Sequence, residues 1–259
     1  MMVATLVLAA TVVFARPARA ATPEGSRAVS PEHGAAPAKL LGGIELVLRD
    51  RYLLLVAMLI VLLNWINTTG GYLLSRMVSN DADAQVAASA GTLAKDAAIT
   101  AFYGNFYFWV TLVGLAVQVL LVARVYRWVG IRGALFVLPV VAALGYGLMA
   151  FVPIFSIIRL VKIGEDAVTN SLMNTTRQAL FLPVDRDAKY EGKTAIDTFF
   201  WRIGDLIQAG VVYAGLHWLD WTTAHFALLN FALALVWIGL AFAIGRDFRA
   251  PAQRNSFDV

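Results

Sequence analysis

Cysteine is absent from the chain, histidine occurs only three times, and charged residues make up only 15% of its 259 residues. Without thiols no disulfide can form, and a zinc site would lack its softest ligand. The histidines are too scattered for a metal-binding motif, and neither a GxxxxGK[ST] phosphate loop nor a GxGxxG dinucleotide fingerprint occurs. We therefore expect no metal and no cofactor. No nucleophile, base and orienting group can be assembled either, so the sequence does not predict an enzyme.

Hydrophobic residues, by contrast, make up 59% of the chain. A soluble domain would carry about a quarter charged residues, which is well above the fraction found here. The composition predicts an integral membrane protein with a lipid bilayer around it. The net charge of +4 is explained by membrane orientation, and no nucleic-acid partner is expected.

Six hydrophobic segments are long enough to cross about 30 Å of hydrocarbon. They cover residues 52–74, 101–122, 133–152, 154–172, 194–216 and 224–245. The fold class predicted is an all-α polytopic membrane protein in which residues 52–245 form a six-helix transmembrane bundle. Such a bundle corresponds to one half of a twelve-helix transporter, here the C-terminal half.

The basic residues predict the orientation of this bundle. If the segment before Tyr52 is cytoplasmic, fifteen of the 21 Lys and Arg residues lie inside, and only Arg76 and Lys95 lie outside. Both ends of the six-helix unit are then cytoplasmic. The membrane expected is a bacterial inner membrane.

The first 51 residues are predicted to differ from the bundle. Residues 1–15 are apolar and have two interpretations, a secretory signal or the end of a transmembrane helix whose beginning is missing, of which the second is favoured because no basic residue precedes the apolar run. Residues 16–51 are predicted to be a basic cytoplasmic linker, rich in Ala, Pro and Gly over residues 16–39. Residues 246–259 are predicted to be a cytoplasmic tail.

The fourth predicted span carries polar residues at membrane depth, where charge is costly and marks a solute path or a permanent pair. Its polar residues recur at steps of three or four and share or border one helical face. They are Arg159, Lys162, Glu165, Asp166, Asn170, Asn174 and Arg177. This pattern predicts a wall of alternating charge that binds a small anionic solute. The alternative is a buried ion-pair network that fixes helix packing.

The fifth predicted span repeats this pattern with fewer residues. Asp197, Trp201, Asp205 and Gln208 share one face, and Arg202 can pair with Asp205 three residues later. We predict that Arg202, Asp205 and Gln208 belong to the substrate site. A permanent salt bridge between Arg202 and Asp205 is the alternative.

The first predicted span contains small and polar residues. Asn64 and Asn67 precede the pair Gly70 and Gly71. Adjacent glycines in a membrane helix predict either a broken helix that lines a cavity or a close crossing of two helices through small residues. Under the first interpretation, Asn64 and Asn67 would contact the substrate.

Similarity to a known family lies in residues 171–184 and 189–210, with support from residues 46–55 and 64–71. These segments resemble the ATP/ADP translocases, which are major-facilitator-like nucleotide exchangers of plastids and intracellular bacteria with relatives in free-living bacteria. The resemblance covers roughly residues 40–259 and implies the C-terminal half of that fold. It implies exchange of ATP and ADP, with Arg159, Lys162, Arg177 and Arg202 available for phosphate and with Glu165, Asp166 and Asp205 keeping the empty site near neutral.

Three functions follow as hypotheses. The first is a secondary transporter, or its C-terminal half, that exchanges nucleotides of the ATP/ADP type by alternating access, together with a missing N-terminal half or a second copy. The second is a proton-coupled carrier of another organic ion, in which Glu165, Asp166 or Asp205 takes the proton. The third is a non-transporting membrane subunit or fragment.

Overall fold

The computed structural model describes residues 35–89, 94–152 and 154–248. These residues are almost entirely helical and include no strand, so the prediction of an all-α membrane protein is confirmed. The predicted segment 1–15, the linker up to residue 34 and the tail from residue 249 lie outside the described residues. The last part of the segment predicted to be a flexible linker is helical.

Nine α-helices and three π-helical turns make up this part of the chain. The helices are α1 (Ala35–Arg49), α2 (Arg51–Ala88), α3 (Lys95–Ala116), α4 (Val122–Phe151), α5 (Phe155–Val168), α6 (Asn174–Ala179), α7 (Arg186–Ala195), α8 (Trp201–His217) and α9 (Thr223–Asp247). The π-helical turns Val117–Leu121, Thr169–Met173 and Ile196–Phe200 join α3 to α4, α5 to α6 and α7 to α8. Each turn continues the helix on either side with one wider turn.

Three stretches of the described chain are long and apolar enough to cross a membrane: Arg51–Ala88, Lys95–Phe151 and Thr223–Asp247. The second stretch contains two of the predicted spans. At Gly130, with φ 67° and ψ −175°, the backbone leaves the helical conformation between them. The predicted spans 154–172 and 194–216 also lie in helical segments, which carry the charged residues. A bundle of six spans remains a prediction.

Helix α2 begins where the sequence contains a capping residue. The carboxylate of Asp50 accepts hydrogen bonds from the backbone N–H groups of Tyr52 at 2.7 Å and Leu53 at 3.0 Å, and these groups have no partner within the helix. The helix then continues to Ala88, beyond the predicted end of the first span at residue 74. It therefore continues well into the segment between the first two predicted spans.

Helix α2 is the centre of the packing. Its apolar residues Leu59, Ile60 and Ile66 are completely buried, and α8 and α9 both pack against it. Helix α9 also packs along α4, and α3 packs along α5. The polar side chains of α2 are thereby brought against those of α5, α8 and α9.

Candidate functional site

A group of buried polar residues joins α2, α4 and α5, and we call it the ionic cluster. The ammonium of Lys162 lies 2.8 Å from the Asp166 carboxylate, 3.2 Å from the Glu165 carboxylate and 2.8 Å from the Asn67 side-chain oxygen. The hydroxyl of Tyr146 lies 2.9 Å from the Glu165 carboxylate. Lys162 and Glu165 are each only 2% exposed. These groups satisfy one another inside the bundle, as buried charges must.

Two buried polar residues beside the ionic cluster are not predicted from the sequence. Tyr146 is fully buried on α4, and its hydroxyl also lies 3.2 Å from the backbone oxygen of Ile66. Asn230, fully buried on α9, donates from its side-chain amide to the same oxygen at 3.1 Å. Each is a single polar residue in an apolar stretch, and that isolation is the one sequence feature that could have identified it.

The glycines of α2 settle one of the alternatives left by the sequence. Residues 64–71 are continuous α-helix, so the interpretation as a broken helix is wrong. A Cβ atom at Gly70 would lie 2.0 Å from the Tyr146 hydroxyl and 3.2 Å from the Lys162 ammonium. The structure has a close helix crossing here, and the missing side chain makes room for the ionic cluster.

A second group of polar residues surrounds a small cavity, which we call the arginine cavity. It has a volume of about 220 Å³, and its walls come from α2, the π-helical turn 169–173, α6 and the start of α8. The lining residues are Leu63, Thr169, Asn170, Met173, Asn174, Arg177 and Trp201. Asn170, Asn174 and Arg177 are thus brought together, as the spacing of these residues predicts.

Arg177 is held loosely within this cavity. Its guanidinium lies 5.4 Å from the ring centre of Trp201 and 3.8 Å from the carboxylate of Asp197. An arginine has five N–H donors, and a contact at 3.8 Å is too long for a hydrogen bond. Arg177 can therefore bind a further anion without first losing a strong partner.

The predicted wall of alternating charge is divided by the structure into these two sites. Lys162, Glu165 and Asp166 belong to the ionic cluster, and Asn170, Asn174 and Arg177 belong to the arginine cavity. The π-helical turn Thr169–Met173 follows the ionic cluster along the chain and contributes to the wall of the arginine cavity. It adds a residue to one turn, which rotates the following residues relative to a regular helix. For Lys162 and Glu165 the geometry matches the alternative of a buried ion-pair network.

Arg159 lies apart from both sites. Its guanidinium donates a hydrogen bond to the side-chain oxygen of Asn105 and lies 5.4 Å from the ring centre of Phe102, both on α3. The same ring stacks on Phe106, which is buried. Arg159 therefore connects α5 to α3, which is not the position predicted for it.

Asn64 connects α2 to α8. Its side-chain amide donates to the carboxylate of Asp205 at 2.7 Å and to the backbone oxygen of Trp201 at 2.9 Å. Arg202 lies 3.4 Å from the other oxygen of Asp205, and its side chain is 82% exposed. The predicted Arg202–Asp205 pair is therefore present, but at the surface of the described chain, where an ion pair contributes little to stability.

Further along the same two helices is a larger cleft of about 540 Å³, which we call the glutamine cleft. Its most buried polar residue is Gln208, which is 7% exposed. The Gln208 amide has no hydrogen-bond partner among the described residues. Gln208 is thus placed in a cavity, as predicted, but not in the arginine cavity.

Sequence comparison gives three related proteins, all named ADP,ATP carrier protein 1. The protein of Chlamydia trachomatis is 28% identical over 244 residues, covering 82% of this chain and 43% of the relative. Those of Chlamydia muridarum and Chlamydia pneumoniae are 29% and 26% identical over 187 and 185 residues. These cover 62% and 61% of this chain and 35% of each relative. No family model and no solved structure matches the chain.

These matches confirm the resemblance to ATP/ADP translocases that the sequence predicts. The chain is thus similar to part of these carrier proteins. It spans less than half the length of the curated relatives it matches.

Proposed function

We propose that the chain supplies the C-terminal half of a carrier that exchanges ATP and ADP by alternating access. The observation that carries the proposal is the arginine cavity in a chain similar to ADP,ATP carrier proteins. Arg177 offers a planar set of donors for phosphate oxygens, and Trp201 offers an aromatic face beside it. The neighbouring Asn170 and Asn174 add neutral amide donors.

The charges around the cavity fit such a substrate. Arg177 and Arg202 each have a carboxylate nearby, Asp197 and Asp205, so that the empty site is close to neutral. The phosphates of ATP or ADP can compete with these carboxylates for the arginines. The Arg177–Asp197 contact is 3.8 Å long and the Arg202–Asp205 contact is 3.4 Å long. Because both contacts are long, replacing the carboxylates by phosphates costs little free energy.

The proposed half needs a partner. Asn170 and Arg202 are exposed in the described chain although they lie in the predicted spans 154–172 and 194–216. Polar groups at membrane depth face other protein or water. A second six-helix unit, either an N-terminal half or another copy, would cover them and complete the substrate path, with both ends of each unit in the cytoplasm of a bacterium.

Exchange is tested by reconstituting the purified chain in vesicles loaded with ADP and measuring uptake of labelled ATP. The proposal expects uptake that depends on internal ADP and persists with an uncoupler. Uptake should be measured with the chain alone and with any six-helix protein encoded beside it. Nucleotide binding and uptake that both stay at background would refute the nucleotide proposal.

A matched pair of substitutions tests Arg177. Arg177→Lys retains the charge and loses the planar donors, so we expect the Kd for ADP to rise about tenfold, the equivalent of one charged hydrogen bond. Arg124→Lys, at an exposed arginine whose guanidinium donates to its own helix at Leu120, should leave the Kd unchanged. Equal affinities in both variants would remove Arg177 from the proposed site.

A proton-coupled carrier is the second candidate, and the ionic cluster favours it. Two carboxylates, Glu165 and Asp166, surround the single ammonium of Lys162. One proton would neutralise the excess negative charge. Uptake that needs no internal nucleotide and collapses when an uncoupler is added would support this function in place of exchange.

A further inference from the structure

We propose that the glutamine cleft binds the adenine base of the nucleotide and that the Gln208 amide pairs with the edge of this base. This inference rests on the proposed nucleotide exchange and goes beyond it by naming where the base binds and the group that pairs with it. The cleft is formed by α2 and α8. The lining residues that matter for the inference are Thr68, Tyr72, Ser75, Gln208, Tyr213 and His217.

The amide of Gln208 is available to a ligand. It can donate two hydrogen bonds and accept two, and it makes none within the described chain. Gln208 is only 7% exposed, but its amide atoms do not belong to the described polar atoms that are both buried and unpaired, so a ligand in the cleft can reach them. The amide lines a cleft whose volume of about 540 Å³ lies in the range of small-molecule sites.

The remaining walls suit a flat aromatic ring. The rings of Tyr213 and His217 stack on each other with centres 4.2 Å apart and planes 22° apart. On the opposite helix, Tyr72 is fixed by an edge contact to Phe226 at 5.7 Å. Aromatic faces of this kind bind bases by stacking, and the hydroxyls of Thr68 and Ser75 can contact the sugar.

The amide of Gln208 can pair with adenine. Adenine places an amino donor beside a ring-nitrogen acceptor, and a glutamine amide pairs with such an edge through both of its groups. Guanine also has one edge where an acceptor, O6, adjoins a donor, N1–H, so an amide can pair with either base. A carboxylate has acceptors only and matches the donor edge of guanine.

The two cavities are correctly spaced for one nucleotide. Gln208 follows Trp201 by seven residues, so it lies on the same face of α8 about 10 Å further along the axis. A ribose and its first phosphate can span this separation between the base and Arg177.

The first test is a change of base preference in the full chain. Gln208→Glu should raise the Kd for ADP at least about tenfold and should raise that for GDP less or lower it, which shifts the ratio of the two affinities towards guanine. Gln85→Glu makes the same chemical change at an exposed residue of α2 and should alter neither Kd. An unchanged ratio of the two affinities in Gln208→Glu would overturn the inference.

The second test does not depend on the fold of the Gln208 variant. Since the chain has no cysteine, Ser75→Cys introduces a single thiol at the cleft. Adenosine should slow its reaction with a maleimide, and inorganic pyrophosphate should not. Ser79→Cys, one turn further along α2 and not part of the cleft lining, should react at the same rate with either compound present.

The outcomes separate the two proposals. If the natural chain binds neither ADP nor ATP, the proposed function fails and the inference fails with it. If it binds ADP but adenosine leaves the Ser75→Cys thiol unprotected, only the inference on the cleft is overturned. Protection by adenosine together with a changed base preference supports both.

Discussion

Replacing Lys162 by Met is expected to lower the free energy of unfolding by about 3–5 kcal/mol and to remove most of the folded protein. The ammonium of Lys162 is the only cation within 4 Å of the Glu165 carboxylate among the described residues, and both side chains are 3% exposed. Without it, Glu165 is a buried negative charge that keeps only its hydrogen bond from Tyr146. The measurement is thermal unfolding of the purified protein, together with its yield after detergent extraction.

A second substitution distinguishes packing from substrate binding. Adding Glu165→Gln to Lys162→Met removes the uncompensated carboxylate, so part of the lost stability should return, while Asp166, 19% exposed, can be solvated. A substrate-binding role predicts something different, namely that Lys162→Met folds normally and only nucleotide binding is lost. That result would contradict the ionic cluster as a packing device.

The second large effect is expected at Gly70. Gly70→Ala places a Cβ atom 2.0 Å from the Tyr146 hydroxyl, and this hydroxyl is fixed by Glu165 and the Ile66 carbonyl. The helices must separate or the tyrosine must give up its hydrogen bonds, so we expect a loss of about 1–3 kcal/mol or more. The same thermal unfolding measurement checks this prediction.

The neighbouring glycine provides the control. Gly71→Ala meets no atom within 4 Å, and alanine is the better helix former by up to about 1 kcal/mol. It should be neutral or slightly stabilising. Because both substitutions raise helix propensity equally, the difference between them measures the helix crossing alone, and equal stabilities would show that α2 and α4 do not pack so closely at Gly70.

Local patterns explain what the sequence could predict. Hydrophobic runs locate the helical segments, and the polar spacing in residues 159–177 correctly brings Asn170, Asn174 and Arg177 to one cavity. The contact of Asn64 with a substrate stays a prediction, and its partners on α8 could not be named from the sequence. These predictions depend on a single helix and its period, which the sequence specifies directly.

The errors arise where other helices decide the outcome. Residues 64–71 alone do not indicate that Tyr146, 76 residues beyond Gly70, fills the space beside this glycine. A broken helix and a close crossing were therefore equally consistent with the sequence. The π-helical turn 169–173 cannot be recognised from the composition of the span. The prediction therefore assumed a regular period of 3.6 residues, which placed Lys162 and Arg177 on one wall. Arg159 contacts Asn105 on α3, and the periodicity of a single helix cannot predict a contact with another helix.

The π-helical turn Thr169–Met173 also separates two mechanical roles on one continuous helical segment. On one side, Lys162 and Glu165 anchor α5 to the centre of the bundle, and on the other, Asn174 and Arg177 lie at an open cavity. A wide turn is a point where a helix can change its winding without breaking the regular turns on either side. The segment 155–179 thus combines a part that is fixed by the ionic cluster with a part whose winding can change. A rotation of α6 at the π-helical turn would change the direction of the Arg177 side chain and leave the ionic cluster in place.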